Sequence, residues 1–208
     1  MSWRLSILRN EQYRALGNLT LSGRVLDLGG GKNAEYQTMV GGGATFVVGN
    51  ISPHANPDIL FDAQKPFPIE NESFDHIVCM NVLEHVYEYQ KLLKEAYRVI
   101  KKEGTMIAST PFMYRVHGSP DDFFRYTDSA LTRAFTDAGF VHVEVTPLGK
   151  GPLSIFYQSI SGAVPTELLQ KFFLRLFVGA DSLLSTLSFR YKRNASHTPI
   201  GYFVIAKK

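Results

Sequence analysis

The segment VLDLGGGKN, from Val25 to Asn33, decides the fold that this sequence predicts. An apolar run leads directly into three consecutive glycines, after which the pattern indicates a helix. A strand, a glycine turn and a helix N-terminus let backbone N–H groups approach a ligand that side chains would otherwise block. The segment therefore predicts a cradle for a nucleotide-like cofactor, although tight glycine turns also occur for purely structural reasons.

Outward from this turn, strand-like and helix-like segments alternate, with Gly, Pro or Asn at each change. Such alternation is typical of a mostly parallel sheet. The predicted strands cover residues 24–28, 44–48, 58–61, 74–80, 105–109, 141–145 and 202–206. The main predicted helices cover residues 87–102 and 128–138. We therefore predict an α/β, Rossmann-like fold with a seven-stranded, mostly parallel sheet, helices on both faces and an antiparallel last strand.

At 208 residues, the chain is predicted to form a single domain over residues 1–208. Residues 1–22 are predicted to be an N-terminal helical extension. Residues 151–199 form an apolar helical insertion before the last strand, with two amphipathic helices expected near residues 166–178 and 181–189.

The role of this insertion has three interpretations. It is a cap that walls the acceptor pocket, a homodimer interface, or a face for a membrane surface or lipid-linked substrate. The third interpretation depends on basic residues that border the apolar positions, namely Lys171, Arg175, Arg190, Lys192 and Arg193.

Composition excludes several classes of protein. The net charge is only +3 and the basic residues are dispersed, so nucleic acid is not an expected partner. The single cysteine, Cys79, supports neither a disulfide framework nor a zinc site, and no metal is expected. The N-terminus does not resemble a secretory signal, and no apolar run is long enough to span a membrane. A cytoplasmic location is predicted, with peripheral contact at the inner face of the membrane as the alternative.

Several motifs together resemble the cofactor site of class I S-adenosylmethionine-dependent methyltransferases of the type 11-like group. These motifs are VLDLGGGKN and DILFDAQKPFPIENESFDHIVCMNVLEHV, residues 58–86. The resemblance covers about residues 20–147. It implies S-adenosyl-L-methionine as cofactor, with the methionine end near Asp27. The other implied cofactor-binding residues are Gly29 and Gly31 in the turn, Asn50 for the ribose, Asp62 with Ala63 for the adenine, and Asn81 with Val82 as a wall.

Two positions depart from that pattern. Asn33 stands where a third glycine is frequent, but asparagine accepts left-handed backbone conformations readily. Asn50 stands where Asp or Glu is usual, and a neutral amide makes weaker hydrogen bonds to ribose hydroxyls than a carboxylate does. The turn lacks the full spacing of a nicotinamide-binding motif, and Lys32 does not lie in a phosphate-binding Walker loop.

Candidate acid–base and acceptor-binding residues follow the fourth and fifth strands, at the sheet edge where open α/β folds bind ligands. His85 ends the NVLEH motif, and the loop PFMYRVHGSPDDFFRYT at residues 111–127 contains His117 and Asp122. These three residues are the candidate catalytic groups. The candidate acceptor-binding residues are Tyr114, Arg125 and Tyr126. The alternative is a structural loop in which Arg125 pairs with Asp121 or Asp122.

The predicted function is therefore S-adenosylmethionine-dependent O- or N-methylation of a small-molecule or glycan-like acceptor. The glycan-like acceptor is implied because the 111–127 loop resembles segments of methyltransferases that are associated with bacterial glycan and polysaccharide biosynthesis. The rival hypothesis is a non-catalytic S-adenosylmethionine-binding protein that docks on a partner or membrane surface through the insertion. Asn33 and Asn50 favour that rival.

Overall fold

The central element of the molecule is one seven-stranded sheet, seen in a computed structural model that describes residues 6–118 and 120–208. The strands are β1 (Arg24–Leu28), β2 (Thr45–Asn50), β3 (Ile59–Leu60), β4 (Phe74–Met80), β5 (Ile100–Pro111), β6 (His142–Leu148) and β7 (Gly201–Lys207). Their order is β3-β2-β1-β4-β5-β7-β6, and β7 runs antiparallel to both of its neighbours, β5 and β6, whereas the other pairs are parallel. This arrangement confirms the predicted Rossmann-like fold.

Helices cover both faces of the sheet because successive strand residues point to opposite sides. The helices are α1 (Ile7–Gly17), α2 (Tyr89–Val99), α3 (Asp128–Ala138), α4 (Pro152–Ile160), α5 (Glu167–Leu187) and α6 (Phe189–Ser196). Leu26 faces the core that α2 and α3 cover, whereas its neighbour Val25 faces the core that α1, α4 and α5 cover. The dense apolar runs of the inner strands follow from this double coverage.

The boundary between α2 and β5 differs from the prediction of a helix that continues to residue 102. Ile100 already has extended backbone angles, and it pairs with Phe74 of β4. Its side chain is buried, so it fits the apolar stripe of the helix and the interior of the sheet equally well. Periodicity alone does not separate these two states for one residue.

The insertion contains three helices instead of the predicted two. One helix, α5, runs continuously through both predicted segments, and α4 and α6 flank it. Asp181 does not begin a helix but lies buried in the middle of α5, where its carboxylate accepts the backbone N–H groups of Leu153 (3.1 Å) and Ser154 (2.7 Å). It also accepts a hydrogen bond from Tyr191 of α6. Asp181 therefore caps the N-terminus of α4 from another helix.

Candidate cofactor and acceptor site

A cavity of about 880 Å³ opens at the carboxyl ends of β1, β2 and β4. Its volume lies within the range of roughly 300–1,000 Å³ that small-molecule and cofactor sites occupy. The walls come from these strand ends, from α1 and from the loop after β5. The lining residues are Leu8, Arg9, Gln12, Leu28, Gly29, Gly49, Asn50, Ile51, Ser52, Phe61, Asp62, Ala63, Gln64, Met80, Asn81, Val82, His85, Val86, Tyr114, His117, Pro120, Asp121 and Phe123.

The glycine-rich turn forms one wall and requires glycine for steric reasons. Gly29 has a φ of 81°, and a Cβ atom there would lie 2.4 Å from Cγ2 of Val82. A Cβ atom on Gly30 would lie 2.3 Å from the carboxylate oxygens of Asp27. Asn33 is left-handed, with a φ of 61°, which asparagine tolerates. Gly31 lies outside the cavity lining.

Asp27 lies beneath this turn and does not line the cavity. Its buried carboxylate accepts hydrogen bonds from the hydroxyl of Tyr36 (2.7 Å) and from Nε2 of Gln37 (2.7 Å). Burial raises the pKa of Asp27 to about 6, although both hydrogen bonds act in the opposite direction. The structure thus places Asp27 as a support of the turn, whereas the resemblance implies that it holds the methionine end.

Asn50 lines the cavity and clamps the glycine turn. Its Nδ2 donates to the backbone carbonyls of Gly29 (2.9 Å) and Gly30 (2.7 Å), and its Oδ1 accepts the backbone N–H of Ser52 (2.9 Å). A carboxylate at this position has no hydrogen to donate to the two carbonyls. The amide is therefore matched to the local backbone.

The remaining predicted cofactor residues, Asp62, Ala63, Asn81 and Val82, all line the cavity. Asn81 exchanges hydrogen bonds with Gln12 of α1, at 2.6 Å from Nε2 of Gln12 to Oδ1 and at 3.1 Å in return. Gln12 also donates to Oγ of Ser109, 2.8 Å away.

The contribution of α1 was missed from the sequence. Leu8, Arg9 and Gln12 line the cavity, yet residues 1–22 were predicted only as a helical extension. One signal was present. Gln12 lies four residues from both Leu8 and Leu16, so it falls on the buried stripe of the helix, and a buried amide there needs polar partners.

The loop after β5 brings His117 and Asp121 to the cavity, next to His85. The rings of His85 and His117 lie 5.0 Å apart in an edge-to-face arrangement. Nδ1 of His85 lies 2.5 Å from the backbone carbonyl of Asp121, and Nδ1 of His117 lies 3.2 Å from that of Arg115.

Asp122 is a buried ion-pair partner. Arg125 donates two hydrogen bonds to its carboxylate, at 2.5 and 2.7 Å, and the backbone N–H of His117 donates a third at 2.8 Å. The guanidinium of Arg125 holds the pKa of Asp122 well below its usual range. The structure therefore shows the Arg125–Asp122 pairing that the sequence left as an alternative, and a carboxylate held in this way is a poor proton acceptor.

Of the three predicted acceptor-binding residues, only Tyr114 lines the cavity. Tyr126 is buried in the core, where its hydroxyl donates to the backbone carbonyl of Leu83 (3.0 Å) and its ring packs on Tyr89. Arg125 is engaged by Asp122. The charged and aromatic residues of this loop thus stabilise the loop itself. The expectation that Arg125 and Tyr126 face an acceptor is corrected.

Glu84 was not singled out from the sequence, although it is the most unusual ionisable residue beside the site. Its side chain is 0% exposed, and among the described residues neither carboxyl oxygen has a hydrogen-bond partner outside Glu84 itself. Oε1 lies 3.7 Å from Nε2 of His85, and burial raises the pKa of Glu84 to about 8. A carboxylate without partners in a buried position is rare in folded proteins.

The part of the chain that contains the glycine turn is similar to known proteins. Residues 26–108 match a family model described as a methyltransferase domain. This segment includes most of β1, the glycine turn and the NVLEH motif, in agreement with the sequence prediction of an S-adenosylmethionine-dependent methyltransferase.

Relatives of known name agree with this match. A probable S-adenosylmethionine-dependent methyltransferase from Mycobacterium tuberculosis is 32% identical over 93 residues, which represent 41% of this chain and 33% of the relative. The chain thus matches only about a third of the length of this curated relative.

Among solved structures, an S-adenosylmethionine-dependent methyltransferase from Archaeoglobus fulgidus superposes with a TM-score of 0.63 at 15% identity. The match covers 97% of this chain and 93% of that one. The [4+2]-cyclase SpnF gives a TM-score of 0.62 at 16% identity, covering 99% of this chain and 84% of that one. These similarities establish the fold, and the cyclase shows that the same fold carries other reactions.

Proposed function

We propose that the chain binds S-adenosyl-L-methionine in this cavity and methylates an oxygen or nitrogen atom of a small-molecule or glycan-like acceptor. The observation that carries the proposal is the glycine turn at the mouth of a cavity of about 880 Å³, within the segment that matches a methyltransferase domain. When bound, this cofactor supplies an electrophilic methyl group on a positively charged sulfur atom.

The residues around the cavity fit such a cofactor. Gly29 of the glycine turn lines the cavity, and Asp62 and Asn81 add polar side chains to its walls. Oδ1 of Asn50 retains one lone pair after its bond to Ser52, and this lone pair is available to a ribose hydroxyl.

His117 and His85 are the groups proposed to accept a proton from the acceptor. In each ring the carbonyl next to Nδ1 favours the tautomer that carries its proton on Nδ1, which leaves a lone pair on Nε2. Asp122 is proposed to orient His117, since its Oδ2 lies 3.3 Å from Nδ1 of that ring.

A glycan-like acceptor is supported by the mixture of the aromatic rings of Tyr114 and Phe123 with the exposed polar residues Gln64 and Asp121 in the cavity lining. Aromatic rings and hydrogen-bonding groups together suit the apolar faces and hydroxyl groups of a sugar.

Calorimetry with S-adenosylmethionine and S-adenosylhomocysteine tests the cofactor assignment. Absence of binding at millimolar concentrations would overturn it. If the cofactor binds, methyl transfer from labelled cofactor to a panel of hydroxylated and amine acceptors tests turnover. Binding without turnover on any acceptor would favour the non-catalytic protein that docks on a partner or membrane.

The docking hypothesis has its own supporting observation on α5. Although α5 packs on the domain through Leu174, its outer side is also apolar. The exposed members of this outer apolar face are Leu168, Leu169, Phe172, Leu176, Leu183 and Leu187. Among the described residues no helix is long and apolar enough to cross a membrane. We propose that this face contacts an anionic membrane surface, with Arg190, Lys192 and Arg193 of the adjacent α6 at its border.

Co-flotation with anionic liposomes at low salt tests this proposal. Phe172→Ser with Leu176→Ser is expected to abolish flotation, whereas Leu60→Ser, at an equally exposed position on β3, is expected to leave it unchanged. No flotation of the unaltered chain overturns the membrane proposal, and a concentration-dependent dimer that the double variant disrupts would assign the face to self-association.

A further inference from the structure

Three potential metal ligands converge beside the cavity. Glu84, His85 and His117 each offer one ligand atom, and the three atoms lie within 4.8 Å of one another. Glu84 and His85 follow β4, whereas His117 comes from the loop after β5, so the sheet brings them together from separate parts of the chain.

The second ring nitrogen of each histidine is held by a neighbouring oxygen atom. Nδ1 of His85 lies 2.5 Å from the carbonyl of Asp121, and Nδ1 of His117 lies 3.2 Å from the carbonyl of Arg115 and 3.3 Å from the carboxylate of Asp122. Histidine ligands in metal sites are oriented in this way, because a proton fixed on Nδ1 leaves Nε2 as the donor to the metal.

Glu84 provides an independent observation. Its side chain is fully buried, and among the described residues neither oxygen has a hydrogen-bond partner outside Glu84 itself. Oε1 is 3.7 Å from Nε2 of His85. A buried carboxylate in this condition lacks the interactions that normally compensate for the loss of water. A cation between the carboxylate and the imidazole nitrogens supplies them.

We propose that Glu84, His85 and His117 bind one divalent first-row transition-metal ion, with Zn²⁺ as the expected occupant. Two imidazoles and a carboxylate suit such ions, whereas Mg²⁺ and Ca²⁺ prefer ligand sets made of oxygen alone. Three protein ligands leave a coordination position open, as in catalytic zinc sites. His85 and His117 line the cavity, so a ligand in the cavity would lie close to that position.

The site also specifies an acceptor class, and this part rests on the proposed function. A metal ion held there would supply Lewis-acid chemistry, because a hydroxyl group of the acceptor that reached its open position would lose its proton to solvent water more readily. The acceptor atom would then be oxygen, and the two histidines would be metal ligands in place of the proton-accepting role proposed above. From the sequence no metal is expected, because the single cysteine excludes cysteine-containing sites. A cluster of one glutamate and two histidines is not excluded by that reasoning.

Titration of the metal-free chain with Co²⁺ tests the site directly. We expect one equivalent to bind and to produce visible absorption bands of a site with nitrogen and oxygen ligands. Dialysis against Zn²⁺ followed by elemental analysis is expected to retain one Zn²⁺ per chain. Glu84→Gln and His117→Asn are expected to weaken Co²⁺ binding at least tenfold, whereas His142→Asn, at an exposed position on β6, leaves it unchanged.

Circular dichroism of the same variants establishes that they are folded. Equal Co²⁺ affinity in folded Glu84→Gln, His117→Asn and unaltered chain overturns the site, as does the absence of a saturable equivalent in the unaltered chain. Calorimetry with S-adenosylhomocysteine separates the two proposals. Cofactor binding without Co²⁺ binding refutes only the metal site, and Co²⁺ binding without cofactor binding refutes only the methyltransferase function.

Discussion

Asn50 illustrates how one side chain serves the backbone of a binding site. The resemblance to methyltransferases places an acidic ribose-binding group here, yet both amide hydrogens of Asn50 are donated to carbonyls of the glycine turn. From the sequence alone, this residue is expected to be a weakened contact to the ribose of the cofactor. Its hydrogen bonds were not predictable, because they depend on the positions of two carbonyls that lie 20 and 21 residues away along the chain.

Asn50→Asp is therefore expected to destabilise the chain and not to improve cofactor binding. A carboxylate facing the carbonyls of Gly29 and Gly30 is repelled and leaves them unpaired, which costs about 1–3 kcal/mol. Urea unfolding measures the loss, and calorimetry with S-adenosylhomocysteine is expected to show weaker binding. Asn56→Asp, at an exposed left-handed position nearby, is the control. Tighter cofactor binding by Asn50→Asp would contradict this role.

Asp27 makes the stability of the protein depend on pH. Its pKa is raised to about 6 in the folded state, so the folded chain binds this proton more tightly than the unfolded chain does. Stability from this group is fully present below its ordinary pKa of 3.8 and is lost as the pH rises through about 6.

We expect the free energy of unfolding of the unaltered chain, relative to Asp27→Asn, to fall by about 2 kcal/mol between about pH 4.5 and 7, at 1.36 kcal/mol per pKa unit. Denaturant unfolding at both values measures this difference. Glu144→Gln, at an exposed position, is the control and is expected to show no such change. Parallel stability curves for the unaltered chain and Asp27→Asn would refute the shifted pKa.

At the scale of elements, the hydrophobic pattern predicted the inner strands, which are covered by helices on both faces of the sheet. The bounds of β1, β4 and α3 agree with the prediction because turn residues or a capping glycine mark their ends. The end of α2 was misplaced, since Ile100 is buried in either state. The helices of the insertion were misplaced because Asp181 is a residue type typical of helix starts. In the structure it lies within α5 and accepts hydrogen bonds from the N-terminus of α4.

The candidate site was predictable to the extent that it follows strand ends. The carboxyl ends of β1, β2 and β4 bring Gly29, Asn50 and Asn81 to one cavity, as the order of the sheet requires. The packing of α1 over that cavity was not predictable, because no local pattern tells which loop a helix covers. The burial of Glu84 was missed because it depends on contact with the loop after β5, whose Phe123 donates its backbone N–H to the Glu84 carbonyl.

Asp181 connects the three helices of the insertion, so Asp181→Ala is expected to loosen all of them. The N–H groups of Leu153 and Ser154 lose their acceptor, which costs about 2–4 kcal/mol for two poorly solvated donors. Urea unfolding measures the loss, and limited proteolysis is expected to cleave within residues 151–196 faster. Ser182→Ala, at the adjacent exposed position, is the control. Unchanged stability of Asp181→Ala would contradict the capping role.

For the whole molecule, the proposed cofactor links α1, the sheet and the loop after β5. Binding at one hundred times the dissociation constant stabilises a folded protein by about 2.7 kcal/mol. A domain of this size responds with a rise in melting temperature of roughly 5–10 °C. Scanning calorimetry with saturating S-adenosylhomocysteine measures it.

Gly29→Ala provides the control, because a left-handed residue with a Cβ atom 2.4 Å from Val82 distorts the turn. We expect this variant to fold and to show little or no rise in melting temperature. A rise equal to that of the unaltered chain would place the cofactor away from the glycine turn.

The position of β7 between β5 and β6 has a consequence for how the chain folds during synthesis. Residues 201–207 pair with β5, about a hundred positions earlier, and with β6, beyond the whole helical insertion. Until these residues leave the ribosome, β5 and β6 each present an unpaired backbone edge, and such edges invite contact with other nascent chains. The insertion therefore lengthens the interval of translation during which these two edges are unpaired.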